Sequence, residues 1–140
     1  MTWQFWAVLS AAFAALTAIF AKIGVANVNS DLATFIRTIV ILLLTTAIVA
    51  VSGQLRSAGA IPRQTWLFLI LSGLATGASW LCYFRALKIG DAARVAPIDK
   101  LSVVMVAIFA ALFLGERLSL TNWVGIAMIA GGAVLVALQV

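Results

Sequence analysis

Five apolar runs take up most of this chain: Trp3–Ala21, Leu32–Ser52, Thr65–Leu87, Val95–Leu114 and Asn122–Leu138. An α-helix rises about 1.5 Å per residue, so crossing a bilayer core of about 30 Å takes roughly 20 residues. Each run is of that order. Inside lipid there is no water to satisfy backbone N–H and C=O groups, and at these lengths only a helix satisfies them internally. The chain therefore reads as an all-α membrane protein with five transmembrane helices. The connectors leave no room for a soluble domain, so residues 1–140 form one membrane domain. Composition agrees, with 65% hydrophobic and 9% charged residues, against about half and a quarter in soluble domains.

The same composition removes several classes of function. One cysteine, Cys82, excludes disulfide frameworks and multi-cysteine metal sites, and the absence of histidine removes His-based triads and zinc sites. No nucleophile–base pair is present, so an enzyme is not expected, nor any cofactor. The net charge of +5 comes from nine basic residues scattered between the apolar runs. They read as helix-end anchors rather than a nucleic-acid surface. MTWQFW lacks the positively charged start of a signal peptide, so the first run is read as a span.

The connectors carry ordinary punctuation. VNSD (28–31) offers an N-cap to the second helix, and GQLRSAGAIPRQ (53–64) holds Gly, Pro and two arginines. IGD (89–91) predicts a glycine C-cap followed by an aspartate N-cap, a tight hairpin between the third and fourth helices. GERLSLTN (115–122) joins the last two. An odd number of helices puts the termini on opposite sides. Arg56, Arg63 and Arg117 then share the N-terminal side, and Lys22, Arg85, Lys88 and Arg94 the other. This near balance gives the positive-inside rule little to act on. Either charges outside the count decide the orientation, or the chain inserts both ways and pairs with an inverted copy. Trp3, Trp6, Trp66 and Trp123 fall at helix starts on the N-terminal side, as an aromatic belt does, whereas Trp80 lies deep in the third helix.

Polar chemistry is concentrated in a few places. Ser72, Thr76, Ser79 and Tyr83 recur at steps of three and four and line one face of the third helix. Gly73 and Gly77 form a GxxxG strip beside them that would let another helix approach. Thr34, Thr38 and Thr45 make a second stripe beside Arg37. Such hydroxyls either bond back to their own helix or line a cavity. Ala7, Ala11 and Ala15, Ala14 and Ala18, and Ala127 with Gly131 are packing faces for internal or oligomer contacts; the last helix is the candidate for facing lipid or a second copy.

APIDKLSVVM (96–105) holds the deepest charges. If the fourth helix starts near Pro97, Asp99 suits its first turn and Lys100 snorkels to the headgroups. If it starts at Asp91, it runs about 36 Å to Leu114, with Lys100 about 13 Å in. Pro97 then lies inside it and kinks or unwinds it, as in the interrupted helices of transporter sites. A charge at mid-span costs about 2.5–3.5 kcal/mol on insertion scales, which argues for a use. Neighbouring side chains on a helix point about 100° apart. Asp99 or Lys100 is therefore expected to pair with Arg37, Arg85 or Arg94 while the other faces a cavity.

YFRALKIGDAARVAP (83–97), followed by LFLGERLSLTNWVGIAMIAGGAVLV (112–136), resembles the EamA-like repeat of the drug/metabolite transporter superfamily. The resemblance extends over the whole chain and includes AKIG followed by the basic Arg37. Many members of that family look like two tandem five-helix repeats of opposite topology around a central cavity. This chain holds one repeat, so the resemblance implies completion by dimerisation, most simply an antiparallel homodimer. It also implies a multi-pass protein of the prokaryotic inner membrane, in contact with membrane lipids and a small-molecule solute. Related small multidrug resistance proteins use a first-helix carboxylate, which TWQFWAVLSAAFAALTAIF lacks.

The resulting expectation is a secondary transporter that moves a small polar, zwitterionic or anionic metabolite by alternating access. Lys100 is the candidate for an anionic substrate group, and Asp99 for a neighbouring cation, a substrate amine or a coupling proton. Trp80 and Tyr83 would form an aromatic wall, with Ser79, Thr76 and Ser72 as hydrogen-bond donors. Arg37 is a second cationic candidate, though snorkelling is the competing role. Arg85, Lys88 and Arg94 are expected to fix helix ends, and Glu116–Arg117 a surface turn. The alternatives are a flippase for a lipid-linked carrier and a non-transporting membrane partner or scaffold.

Overall fold

The computed structural model describes residues 2–138. In chain order it comprises α1 (Trp3–Val25), α2 (Ser30–Val51), a 3-10 segment (Gln54–Ala60), α3 (Arg63–Ile89), α4 (Ala92–Asp99), α5 (Ser102–Phe113) and α6 (Leu120–Leu138). Five stretches are long and apolar enough to span a membrane, with α4 and α5 together making one of them. Each expected run meets a helix. The fourth comes in two pieces, and the 53–64 connector winds into a 3-10 segment.

Local chemistry sets most of these boundaries. The Asn29 Oδ1 accepts the backbone N–H groups of Asp31 at 2.8 Å and Leu32 at 3.4 Å, capping α2 inside the expected VNSD segment. Asp31 then adds a carboxylate to the positive end of that helix. At the far ends of α2 and α5, Gly53 (φ 71°) and Gly115 (φ 68°) turn the chain through the left-handed region, which a Cβ disfavours. The N–H groups of Leu114 and Glu116 both return to the Ala110 carbonyl, at 3.0 and 3.2 Å. Glu116 and Arg117 lie in the turn that follows.

Gly90 does not play the part expected of it. Among the described residues only Gly53 and Gly115 are left-handed. The chain redirects at Asp91 instead, whose extended backbone (φ −69°, ψ 138°) needs no glycine. The Asp91 carbonyl accepts from Arg94 at 3.0 Å and Val95 at 2.9 Å, but its side chain makes no capping bond.

The chain divides into two compact units, Phe20–Lys88 and the residues on either side of it. Within Phe20–Lys88 the buried side chains are Ala21, Val25, Thr34, Phe84 and Leu87. Here α2 and α3 run antiparallel, since Asp31 meets Arg85 while Arg37, further along α2, meets Trp80, further back along α3. Two lysines satisfy backbone carbonyls at this end. Lys22 Nζ donates to the Leu87 carbonyl at 2.8 Å and Lys88 Nζ to the Val28 carbonyl at 2.5 Å. The last carbonyls of a helix have no partner of their own, so a lysine there is both donor and counter-charge.

The other unit has a core of alanines: Ala18, Ala107, Ala110 and Ala133. In it α6 packs on both α4 and α5. Its least exposed side chains, Ile126, Ala130, Ala133 and Ala137, fall on one helical stripe. The expected packing pair, Ala127 and Gly131, lies beside that stripe and is exposed, as are Ala7, Ala11 and Ala15 of α1. A Cβ placed on Gly73 or Gly77 would touch nothing within 4 Å, so among the described residues of its own unit no helix closes on the GxxxG strip. Large apolar side chains such as Leu43 (65% exposed) and Leu135 (69%) face outward. Exposing so many in water would cost about 25 cal/mol per Å², a penalty that hydrocarbon removes.

Candidate functional site

Two places gather the residues singled out by sequence. The first is the junction of α4 and α5. The helix starts just after Asp91, so Pro97 lies inside it. With no N–H, Pro97 cannot serve the Ala93 carbonyl. Past the proline, Lys100 (ψ −7°) and Leu101 (ψ −18°) sit well short of the α-helical ψ near −42°. Hydrogen bonds tighten to three-residue closures: Lys100 to Pro97 at 3.1 Å, Leu101 to Ile98 at 2.9 Å, Val103 to Lys100 at 3.0 Å and Val104 to Leu101 at 3.0 Å. One 3-10-like turn thus interrupts the span, about 12 Å from its start.

Asp99 and Lys100 sit on this turn and pair with each other, Nζ to Oδ2 at 3.3 Å. The expectation that one of them would reach Arg37, Arg85 or Arg94 is corrected. The long lysine stem spans the angle between neighbours that two short side chains could not. Arg85 is held by Asp31 and Arg37 by aromatic rings. A single contact of this length between partly exposed groups is weak, about 0–1 kcal/mol in a wet setting, so a competing charge can open it.

The second place lies within Phe20–Lys88, between α2 and α3. The Arg37 guanidinium carbon stands 4.1 Å from the centre of the Trp80 ring and 5.5 Å from that of Phe84. The two aromatics are one turn apart on α3, and Phe84 is buried. A snorkelling arginine would reach toward its helix end, past Phe84 to Arg85. Arg37 instead lies closer to the deeper ring.

Stacking on aromatic rings offers about 0.5–2 kcal/mol, against about 2.5–3.5 kcal/mol for a cation at mid-span. Stacking also leaves the five N–H donors of the guanidinium unanswered, because they lie in its plane. Among the described residues no carboxylate pairs with Arg37, since Asp31 is taken by Arg85 and Asp99 by Lys100.

The threonines of both hydroxyl stripes bond back to their own helices. Thr34, Thr38 and Thr45 donate to carbonyls of their own helix, at Ser30 (2.9 Å), Thr34 (2.8 Å) and Ile41 (2.8 Å). Thr76 donates to the Ser72 carbonyl at 2.9 Å. These donors are occupied, although their oxygens can still accept. Ser72, Thr76 and Ser79 are exposed on α3, and Tyr83 is half-buried. Phe84 joins Trp80 in facing the Arg37 guanidinium. Sequence reasoning missed Phe84, although its four-residue spacing from Trp80 was a usable signal. An open groove of about 460 Å³ near the end of α2, lined by Ala47, Ile48, Val51 and Ser52, contains no charged group.

The model of the EamA-like transporter family matches residues 1–138. The chain is also similar to a Sinorhizobium sp. protein described as an uncharacterized transporter in the cobO 3' region. The two are 71% identical over 136 residues, 97% of this chain and 96% of that protein. No solved structure matches the chain.

Proposed function

The chain belongs to the EamA-like transporter family, and from that premise we propose that it is a secondary transporter for a small polar solute bearing negative charge, anionic or zwitterionic. It is a multi-pass integral membrane protein. Transport proceeds by alternating access, in a homodimer whose two copies are inserted in opposite directions. The observation that carries this reading is the interrupted fourth span, with Asp99 and Lys100 on its 3-10-like turn. Charges placed on broken backbone near mid-bilayer are how secondary transporters hold solutes and coupling ions.

In this mechanism solute or proton competes for the weak Asp99–Lys100 pair. Lys100 meets an anionic group while Asp99 takes an amine or a coupling proton. Within the Phe20–Lys88 unit, taken by itself, Thr76 and Ser79 offer a solute hydrogen-bonding oxygens and Trp80 and Tyr83 an aromatic surface. Pairing of two copies is supported by the near-balanced charge of the two sides and by a relative of about the same single-repeat length.

The test is exchange of labelled amino acids and small organic acids in proteoliposomes. Asp99→Asn and Lys100→Gln should each lower the initial rate at least about tenfold, the effect of losing about 1.4 kcal/mol of specific stabilisation. Apolar replacements that leave exchange intact would make the junction structural. Movement of a labelled lipid-linked sugar between leaflets, without solute exchange, would replace this function with that of a flippase.

A further inference from the structure

We infer that Arg37, presented by Trp80 and Phe84, is the receptor for a carboxylate on the solute; this deepens, and rests on, the transporter function proposed above. The guanidinium offers two kinds of surface, a flat π-face and a coplanar fork of N–H donors. The rings take the face, at 4.1 and 5.5 Å from its central carbon. The fork remains for a ligand, and no carboxylate among the described residues fills it. A coplanar fork is met by a planar oxyanion through two parallel N–H···O bonds, the arrangement that arginine supports and lysine does not.

Position separates Arg37 from Lys22, Arg85 and Lys88 of the same unit. Arg85 is occupied by Asp31, Lys22 donates to the Leu87 carbonyl in the last turn of α3, and Lys88 to the Val28 carbonyl in the α1–α2 connector. These groups lie at the level at which lipid phosphates would be met first. Arg37 lies about 10 Å further along α2 and leans toward the deeper ring. A solute carboxylate drawn to that depth gains an unopposed cation. An amide of the same shape gains none. Lys100 must first give up Asp99 to meet an anion, whereas Arg37 has no carboxylate among the described residues to give up.

The experiment uses the full chain in phosphatidylcholine nanodiscs and follows tryptophan fluorescence and melting temperature. The probes are acetate, succinate, glutamate and benzoate, each titrated beside its uncharged amide. At least one carboxylate should raise the melting temperature and perturb fluorescence where its amide does neither. Arg37→Gln should abolish both effects. Arg37→Lys, which keeps the charge and loses the fork, should weaken the apparent affinity at least about tenfold. Trp80→Phe should remove most of the fluorescence response while the melting shift persists.

Equal responses to acid and amide, no response to any acid, or a response unchanged in Arg37→Gln would overturn the inference. So would abolition of the response by phosphatidylglycerol in the nanodisc, which would make a lipid phosphate the occupant. Proteoliposome exchange by the wild-type chain tests the transporter function separately. Exchange of solutes without an Arg37-dependent carboxylate response sinks this inference alone. An Arg37-dependent response without exchange of any solute sinks the transporter function instead.

Discussion

Arg85 holds Asp31 through two bonds, Nε to Oδ1 at 3.1 Å and Nη2 to Oδ2 at 2.9 Å, and so ties the start of α2 to the end of α3. The pair is exposed, yet its fork geometry fixes the antiparallel register that brings Arg37 over Trp80. Asp31→Asn or Arg85→Gln should therefore lower the melting temperature in detergent by a few degrees and loosen the Arg37 stack. Exchanging the two residues, Asp31→Arg with Arg85→Asp, should recover part of the loss. Melting curves of the three variants check this, and no loss in the single variants would show that the pair fixes nothing. Each partner alone was legible, Asp31 beside the α2 cap and Arg85 as a helix-end anchor. Their pairing was not, because it joins residues 54 positions apart and depends on how two helices slide against each other. Phe84 was hidden by its ordinariness. Its four-residue spacing from Trp80 marks a shared face of α3, but the arginine which that face meets lies on another helix.

The α4–α5 junction is the element where sequence left two outcomes open. Proline suits the first turn of a helix as well as it marks a break, so APIDK was compatible with a start at Pro97 and with a start at Asp91. In the structure the short first piece, Ala92–Asp99, exists as a helix packed on α6. Tertiary packing, which local sequence does not express, chose between the two. Pro97→Ala would return an N–H to the Ala93 carbonyl and allow one continuous helix. It should stabilise the fold by about 1–3 kcal/mol while slowing solute exchange at least about tenfold, because the junction no longer flexes. Thermal unfolding read alongside proteoliposome exchange separates the two effects. A stabilised variant with unchanged exchange would mean that the break is not used.

For the whole molecule, lipid is what made the architecture legible. A bilayer sets the length of every span and forbids anything but helices between its faces, so the five runs predicted five spans. Packing was harder to read. Small residues recur on several faces of α1, α3 and α6, and the faces that are buried, such as Ile126–Ala130–Ala133–Ala137, lie one strip away from those that stood out. At Gly73 and Gly77 an added Cβ would meet nothing within 4 Å, so that strip has room for lipid or a second copy. The central claim is the proposal that two copies inserted in opposite directions form the functional unit, argued from the resemblance to paired inverted repeats and from cations nearly balanced across the membrane. One measurement tests it most directly. Single cysteines are placed in the 53–64 connector and at the C-terminus of a Cys82→Ser background, and intact cells are labelled with an impermeant maleimide. The account predicts that each site labels in about half of the molecules. All-or-none labelling at either site would contradict it.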